Sequence, residues 1–283
     1  MNEEAIEAWD GPLFDRFAQF KDVMTTGLGA HGDSALRLVP PRRGQRVLDI
    51  GCGFGDATQQ IAALVGPAGE VLGVDAAPRF IASCIEDAER AGVTNARFVV
   101  ADVQVTPLEG GFDMAFSRFG TMFFADPVAA LRNVRGALVP GGTLVMVVWR
   151  QKVDNDWLYR AEQIVERIVP KPEDCDEPTG GPGPFSMASA DTTSGILVAA
   201  GFSDIALHRC DKSIMIGRDL DEAISLVMSI GPAGEILRLA GDRAAHLYGD
   251  IDAALRKGLA EFEADGEVRA PASTWIVTAT APA

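Results

Sequence analysis

The sequence is poor in the side chains that most catalytic chemistry uses. Three histidines (His31, His208, His246) and four cysteines (Cys52, Cys84, Cys175, Cys210) lie scattered over 283 residues. No Cys-x-x-Cys pair or histidine cluster occurs, so no metal centre or disulfide framework is expected, and the thiols should be free in a reducing cytoplasm. Positive charge is also scarce: 25 Lys and Arg face 40 Asp and Glu, for a net charge of -15. Nucleic acids and anionic membrane surfaces call for a basic footprint, which the short run "PPRRGQR" at 40–46 does not supply. No apolar run approaches the roughly 18 residues of a membrane span. The acidic start "MNEEAIEAWD" lacks the basic and apolar regions of a signal peptide. These absences lead us to expect a globular cytoplasmic protein with no nucleic-acid partner and no membrane span. Oligomeric state is left open, a homodimer included.

What is present is a strand–helix alternation. "RVLDI", "EVLGVD", "ARFVVAD", "FDMAFS" and "GTLVMVVW" read as strands, separated by helical stretches such as "DATQQIAALVG" and "RFIASCIEDAERAG". Pro78 and Pro127 suit first turns, and "PGG" at 140–142 is expected to end a helix. The pattern predicts an α/β, doubly wound, mainly parallel sheet, with ligands bound beyond the strands' carboxyl ends. After Trp149 come a helix, a Pro/Gly/acid-rich loop at 170–185, a second helix, a strand region and a helical stretch from Asp219 to Asp265. Leu247, Ile251, Leu255, Leu259 and Phe262 mark one apolar face there. "STWIVTAT" closes the chain as a strand. One domain is expected, with residues 1–43 as a helical lid, 44–150 as the ligand-binding core, and 151–283 as the rest of the sheet with helical cap insertions.

The glycine loop narrows the ligand. "VLDIGCGFGDA" gives G-x-G-x-G at Gly51, Gly53 and Gly55, with Asp56 where a dinucleotide fingerprint has its third glycine. Asp49, just before it, would repel a pyrophosphate and favour a cation. No Gly-Lys-Ser/Thr follows, which removes a Walker loop. Asp75 ends the second strand twenty residues after Gly55, where a carboxylate accepts from a ribose diol. Asp102, after the third strand, is placed to accept from an adenine amine. A ribose, an adenosine body, a positive charge and no pyrophosphate describe S-adenosylmethionine, with S-adenosylhomocysteine as product.

In order and spacing, "LDIGCGFG", "GVDAAP", "VVADVQ", "FDMAFSRFGTMFFADP" and "LVPGGTLV" over residues 44–150 resemble class I S-adenosylmethionine-dependent methyltransferases. The bacterial small-molecule branch, of quinone-biosynthesis and sterol type, is the most similar; "SRFGTMFFADP" and "GPGPF" are features of it. The resemblance implies a Rossmann-like seven-stranded sheet. It further implies that the first-motif glycines, Gly51 and Gly53, contact the methionine part, with Asp49 and Cys52 also among the cofactor-binding candidates. Asp75 and Ala76 would hold the ribose, and Asp102 and Val103 the adenine edge. Ser117 and Arg118 would border the methyl group. Cys52 is read as a small loop residue rather than a nucleophile.

Trp9, Phe14, Phe17 and Phe20 are expected to cover the site. Arg118, Met122, Trp149 and Phe185, with Trp9 and Phe17, are the candidates for the acceptor pocket, which is expected to take a small, mostly apolar molecule by O- or C-methylation. "SRFG" replaces the Asn/Asp-Pro-Pro-Tyr/Phe that grips planar amides. Histidine catalysis is not expected. Two other readings stay open at this point: a nicotinamide-dependent oxidoreductase and a non-catalytic S-adenosylmethionine-binding regulator.

Overall fold

The computed structural model of the chain describes residues 3–169 and 182–283. Three helices come first, α1 (Glu3–Ala8), α2 (Phe14–Gln19) and α3 (Lys21–Leu38). Alternation then sets in with β1 (Arg46–Ile50), α4 (Asp56–Val65), β2 (Glu70–Asp75), α5 (Pro78–Ala91), β3 (Ala96–Val100), β4 (Phe112–Arg118), α6 (Pro127–Ala137) and β5 (Leu138–Trp149). The later part holds α7 (Asp156–Ile168), α8 (Ala190–Ala200), β6 (Ser203–Gly217), α9 (Leu220–Ser229), α10 (Pro232–Ala240) and α11 (Tyr248–Leu259). It ends with β7 (Glu263–Ala264) and β8 (Glu267–Thr280).

The strands form one sheet in the order β3-β2-β1-β4-β5-β8-β6, with the two-residue β7 added on β8. The expected seven strands are all on that path, and β7 is an eighth. β3, β2, β1, β4 and β5 pair in parallel, whereas β8 runs antiparallel to both β5 and β6. Helices cover both faces, so Leu48, Ile50, Phe112 and Phe116 have no solvent contact. The chain winds outward in both directions from β1 and β4. Their carboxyl ends therefore border the crevice that such a reversal of strand order leaves open.

Local chemistry sets the element ends. Pro78 and Pro127 sit in first turns, and Asp126 accepts from the Ala129 N–H at 2.9 Å as an N-cap. In two places the fold departs from the sequence reading. The helix before "PGG" stops earlier, at Ala137, and 138–142 belong to an irregular start of β5, where its pairing with β4 shifts between Phe112 and Met114. Helical structure also does not reach Asp265. Asp265 (φ +54°) and Gly266 (φ +85°) form a two-residue turn that joins β7 to β8. The last strand consequently begins at Glu267, well before "STWIVTAT".

Ile251, Leu255, Leu259 and Phe262 are buried as their spacing predicts, and Leu247 is half-buried. They pack the α9–α11 insertion onto α7. Of the loop expected at 170–185, residues 170–181, Cys175 among them, lie outside the described residues. Cys52, Cys84 and Cys210 are buried free thiols. Among the described residues no single helix is long and apolar enough to cross a membrane.

Candidate active site

A cavity of about 740 Å³ opens at the carboxyl ends of β1, β2 and β4, beneath α1, α2 and the α9–α10 turn. Its floor is the loop after β1. Gly53 lies on the wall at φ +54°, and a Cβ there would meet nothing within 4 Å, so the chain offers bare backbone to a ligand. Gly55, at φ +74°, turns the chain into α4; a Cβ would come within 2.8 Å of Cys84 Sγ and 3.0 Å of the Phe98 ring. Only glycine fits that position.

Two carboxylates shape the loops around this floor. Asp75 accepts from the Gly53 N–H (3.1 Å) and the Ala77 N–H (3.0 Å), tying the glycine loop to the turn after β2. Burial pushes its pKa up, and these amide bonds work against that shift. Each Asp75 oxygen keeps a lone pair for a ligand hydroxyl. Asp102 accepts at one oxygen from the backbone and side-chain amides of Gln104 (3.0 and 3.1 Å). Asn133 donates to the carbonyls of Val103 (2.9 Å) and Thr106 (2.7 Å), which fixes the segment after β3.

Of the nine residues expected to touch the cofactor, Gly51, Cys52, Gly53, Asp75, Ala76, Asp102 and Val103 line the cavity. Asp49 and Ser117 are not among the lining residues. Asp49 is buried behind the loop and accepts from Thr58 Oγ1 at 2.6 Å, with burial pushing its pKa up to about 7. Ser117 donates to the Ile50 carbonyl at 2.8 Å and stitches the end of β4 to β1. The Cys52 thiol is pushed well up, by its hydrogen bond with Cys84 and then by burial, so it stays protonated.

All six acceptor-side candidates (Trp9, Phe17, Arg118, Met122, Trp149 and Phe185) line the cavity. Arg118 is held by Asp56 through two 2.8 Å bonds, one from each Nη. Burial opposes its charge, but Asp56 outweighs that and raises its pKa. Trp9 packs against Phe17 (5.3 Å between ring centroids), Phe80 (6.4 Å) and Phe123 (5.0 Å), and Phe80 packs on Phe54 (4.9 Å). The segment carrying Trp9 is pinned to α5: the Arg79 N–H donates to Asp10 at 2.7 Å and the Arg79 guanidinium to Asp15 at 2.7 Å.

Phe119 takes φ +60°, an uncommon conformation for a bulky residue. Its N–H donates to the Val147 carbonyl at 2.9 Å and its ring stacks on Trp149 at 4.5 Å, which hold it there. Such strain costs on the order of 1–3 kcal/mol and gathers at functional sites.

Several lining residues escaped the sequence reading. Gln104 and Phe80 are within reach of recognised motifs but carry no pattern of their own. Lys152 before α7 and Trp157 in its first turn, with Leu226 on α9 and Ile230 just after it, reach the cavity only through the fold. None of the three histidines lines it. His31 is buried on α3, bonded through Nδ1 to Thr274 Oγ1 (3.0 Å), and burial lowers its pKa to about 4. His208 and His246 are exposed. Among the described residues no cluster of three or more His, Cys, Asp or Glu is able to hold a metal ion.

The wall fits an adenosine cofactor with a cationic tail. Asp56, Asp75 and Asp102 all face the cavity, and Arg118 is already neutralised by Asp56. A pyrophosphate would meet carboxylates here, whereas a sulfonium and a ribose diol suit them. The fold and site therefore suit a nucleoside cofactor at the switch point of a mostly parallel sheet.

Comparison with known proteins agrees. A family model described as a methyltransferase domain matches residues 41–175. The chain is 26% identical over 182 residues to the ubiquinone/menaquinone biosynthesis C-methyltransferase UbiE of Klebsiella pneumoniae, covering 62% of this chain and 72% of that protein. It is 33% identical over 105 residues to the demethylmenaquinone methyltransferase of Staphylococcus aureus, covering 37% of this chain and 43% of that one. The match thus spans less than half the length of the Staphylococcus protein. In fold, it superposes on YcgJ of Bacillus subtilis with a TM-score of 0.57 at 18% identity, over 90% of this chain and 98% of the other. A methyltransferase domain at residues 41–175 and relatives named as methyltransferases support a class I S-adenosylmethionine-dependent methyltransferase.

Proposed function

We propose that the protein methylates a small, mostly apolar metabolite at oxygen or carbon. The observation that carries this reading is the acceptor side of the cavity, where Met24, Leu28, Phe123, Phe124, Phe185 and Ile230 supply apolar and aromatic surface. The names of the quinone-modifying relatives are in keeping with it. So are a net charge of -15, which disfavours a nucleic-acid acceptor, and three buried free thiols, which suit the cytoplasm.

When bound, S-adenosylmethionine supplies a methyl group on a sulfonium, displaced in line with a neutral thioether leaving. The chain's own work is then alignment and exclusion of water. Asp75 and Asp102, with the bare backbone at Gly53, orient the nucleoside, and Asp49 and Ser117 brace the loop and strand end from behind. Phe119 and Trp149, a rigid stacked pair, border the path of transfer together with Arg118 and Met122. Residues 1–43 close over the site through Trp9 and Phe17. Positioning of this kind is worth roughly 7–11 kcal/mol in favourable intramolecular cases. In this reading proximity carries the rate, which a cavity lining without histidine among the described residues supports.

The test is a screen with methyl-labelled S-adenosylmethionine against a cytosolic extract. Label should appear in small apolar products extractable into organic solvent. Label confined to protein or nucleic acid would overturn the acceptor class.

A further inference from the structure

The acceptor side of the cavity is not wholly apolar. Two donors stand on the segment between β5 and the middle of α7. Trp157 lines the cavity and is 5% exposed, yet its indole N–H has no hydrogen-bond partner among the described residues. An unpaired buried donor costs about 1–3 kcal/mol, and an acceptor atom brought in by a ligand relieves that cost. Lys152 also lines the cavity. Its ammonium donates to Glu162 Oε1 at 2.7 Å and makes no second hydrogen bond among the described residues, leaving two of its three N–H groups available.

Glu162 is buried, at 5% exposure, inside α7, behind the wall rather than on it. It holds the Lys152 side chain in place and offsets its charge. The other charged residues on the wall outside the cofactor side are Arg16 on α2, Asp56, Arg118 and Glu235. Glu235 on α10 is tied up by Arg238 at 2.7 Å, and Arg118 by Asp56. The carboxylates Asp75 and Asp102 sit on the cofactor side. A second anion next to Lys152 would complete a carboxylate–ammonium–oxyanion alternation, which is favourable in a partly dry cavity.

Resting on the methyltransferase reading above, we propose that Lys152 and Trp157 form an oxygen-reading subsite, selecting acceptors whose apolar body carries an ionised oxygen, a phenolate or an enolate. Lys152 binds the oxyanion and keeps it deprotonated; Trp157 donates a second, neutral hydrogen bond. The apolar body lies along Phe185, Leu226 and Ile230. The two residues decide which acceptor docks and in which orientation, with the cofactor seat left independent.

Calorimetry on the full chain saturated with S-adenosylhomocysteine tests this. The probes are 2-hydroxy-1,4-naphthoquinone, ionised at neutral pH, and its neutral 2-methoxy ether. The wild type should bind the ionised probe roughly tenfold more tightly than the ether. Lys152→Met should bring that ratio to about one and Lys152→Arg should restore most of it. Trp157→Phe should weaken both probes by about three- to tenfold. S-adenosylhomocysteine affinity should stay within about twofold in each variant, which separates subsite loss from misfolding. A ratio near one in the wild type, a ratio unmoved by Lys152→Met, or no binding of either probe would overturn the subsite. Failure of the wild type to bind S-adenosylhomocysteine would instead overturn the reading on which it rests.

Discussion

The half of the cavity we assign to the cofactor comes from three short segments, 51–54, 75–77 and 101–104, each directly after a parallel strand. The half we assign to the acceptor draws on α1–α3, the loop after β4, the β5–α7 segment, Gly183–Ser186 and the α9–α10 turn. The first half is held by backbone amides on carboxylates. The second is held largely by side-chain packing. One sheet can therefore keep a cofactor while elements inserted around it determine what is methylated.

Substitutions should separate the halves. The largest effect is expected from Gly55→Val. It combines a left-handed backbone with overlap on Cys84 and Phe98, and should cost about 2–4 kcal/mol in urea unfolding and abolish S-adenosylhomocysteine binding. Arg118→Met leaves Asp56 unpaired between the halves. Because Asp56 is one-third exposed, the loss should be about 2–3 kcal/mol, less than for a fully buried pair. The double variant Asp56→Asn/Arg118→Met should recover part of it.

Asp75→Asn keeps the side chain's shape but loses its charge and one acceptor. It should weaken S-adenosylhomocysteine roughly 10–100-fold by calorimetry. Trp9→Ala sharpens the contrast from the other side: acceptor KM should rise about three- to tenfold while cofactor affinity moves by less than about twofold.

The smallest effect concerns Asp49. With its pKa pushed up to about 7, it is mostly protonated at pH 6 and ionised at pH 8. A sulfonium gains from the ionised form and a neutral thioether does not. The preference for S-adenosylmethionine over S-adenosylhomocysteine should thus rise about two- to fivefold from pH 6 to 8, and Asp49→Asn should flatten it. For folding, the signs oppose one another. Asp49 holds a proton in the native state that the unfolded chain has lost between about pH 4 and 7, so its contribution to stability falls as pH rises there. His31, lowered to about 4, is deprotonated when folded and protonated when unfolded from about pH 4 to 6.5, so its contribution rises over that window.

The same contrast explains what could be read from the sequence. "RVLDI" and "EVLGVD" match β1 and β2 residue for residue, because strands buried on both faces leave continuous apolar runs ended by the glycine or aspartate that starts the site. The residues we assign to the cofactor lie within a few positions of those ends, so spacing sufficed to bring most of them to the cavity wall. It did not distinguish the wall from what lies behind it: Asp49 and Ser117 point to Thr58 and the Ile50 carbonyl, partners that only the folded strand register supplies. The hairpin at Asp265–Gly266 carried its signal, Asp-Gly, inside a stretch whose helical period masked it. Lys152 and Trp157 had no signal at all, since α7 reaches the cavity only after β8 and the α9–α11 insertion pack beneath and beside it.

The account's central claim is that the carboxylate-lined half seats a pyrophosphate-free adenosine cofactor. Parallel calorimetric titrations of the wild type with S-adenosylhomocysteine and with NADH test it most directly. We predict one-site binding of S-adenosylhomocysteine, weakened by Asp75→Asn, and no measurable heat with NADH. Saturable NADH binding without S-adenosylhomocysteine binding would contradict it.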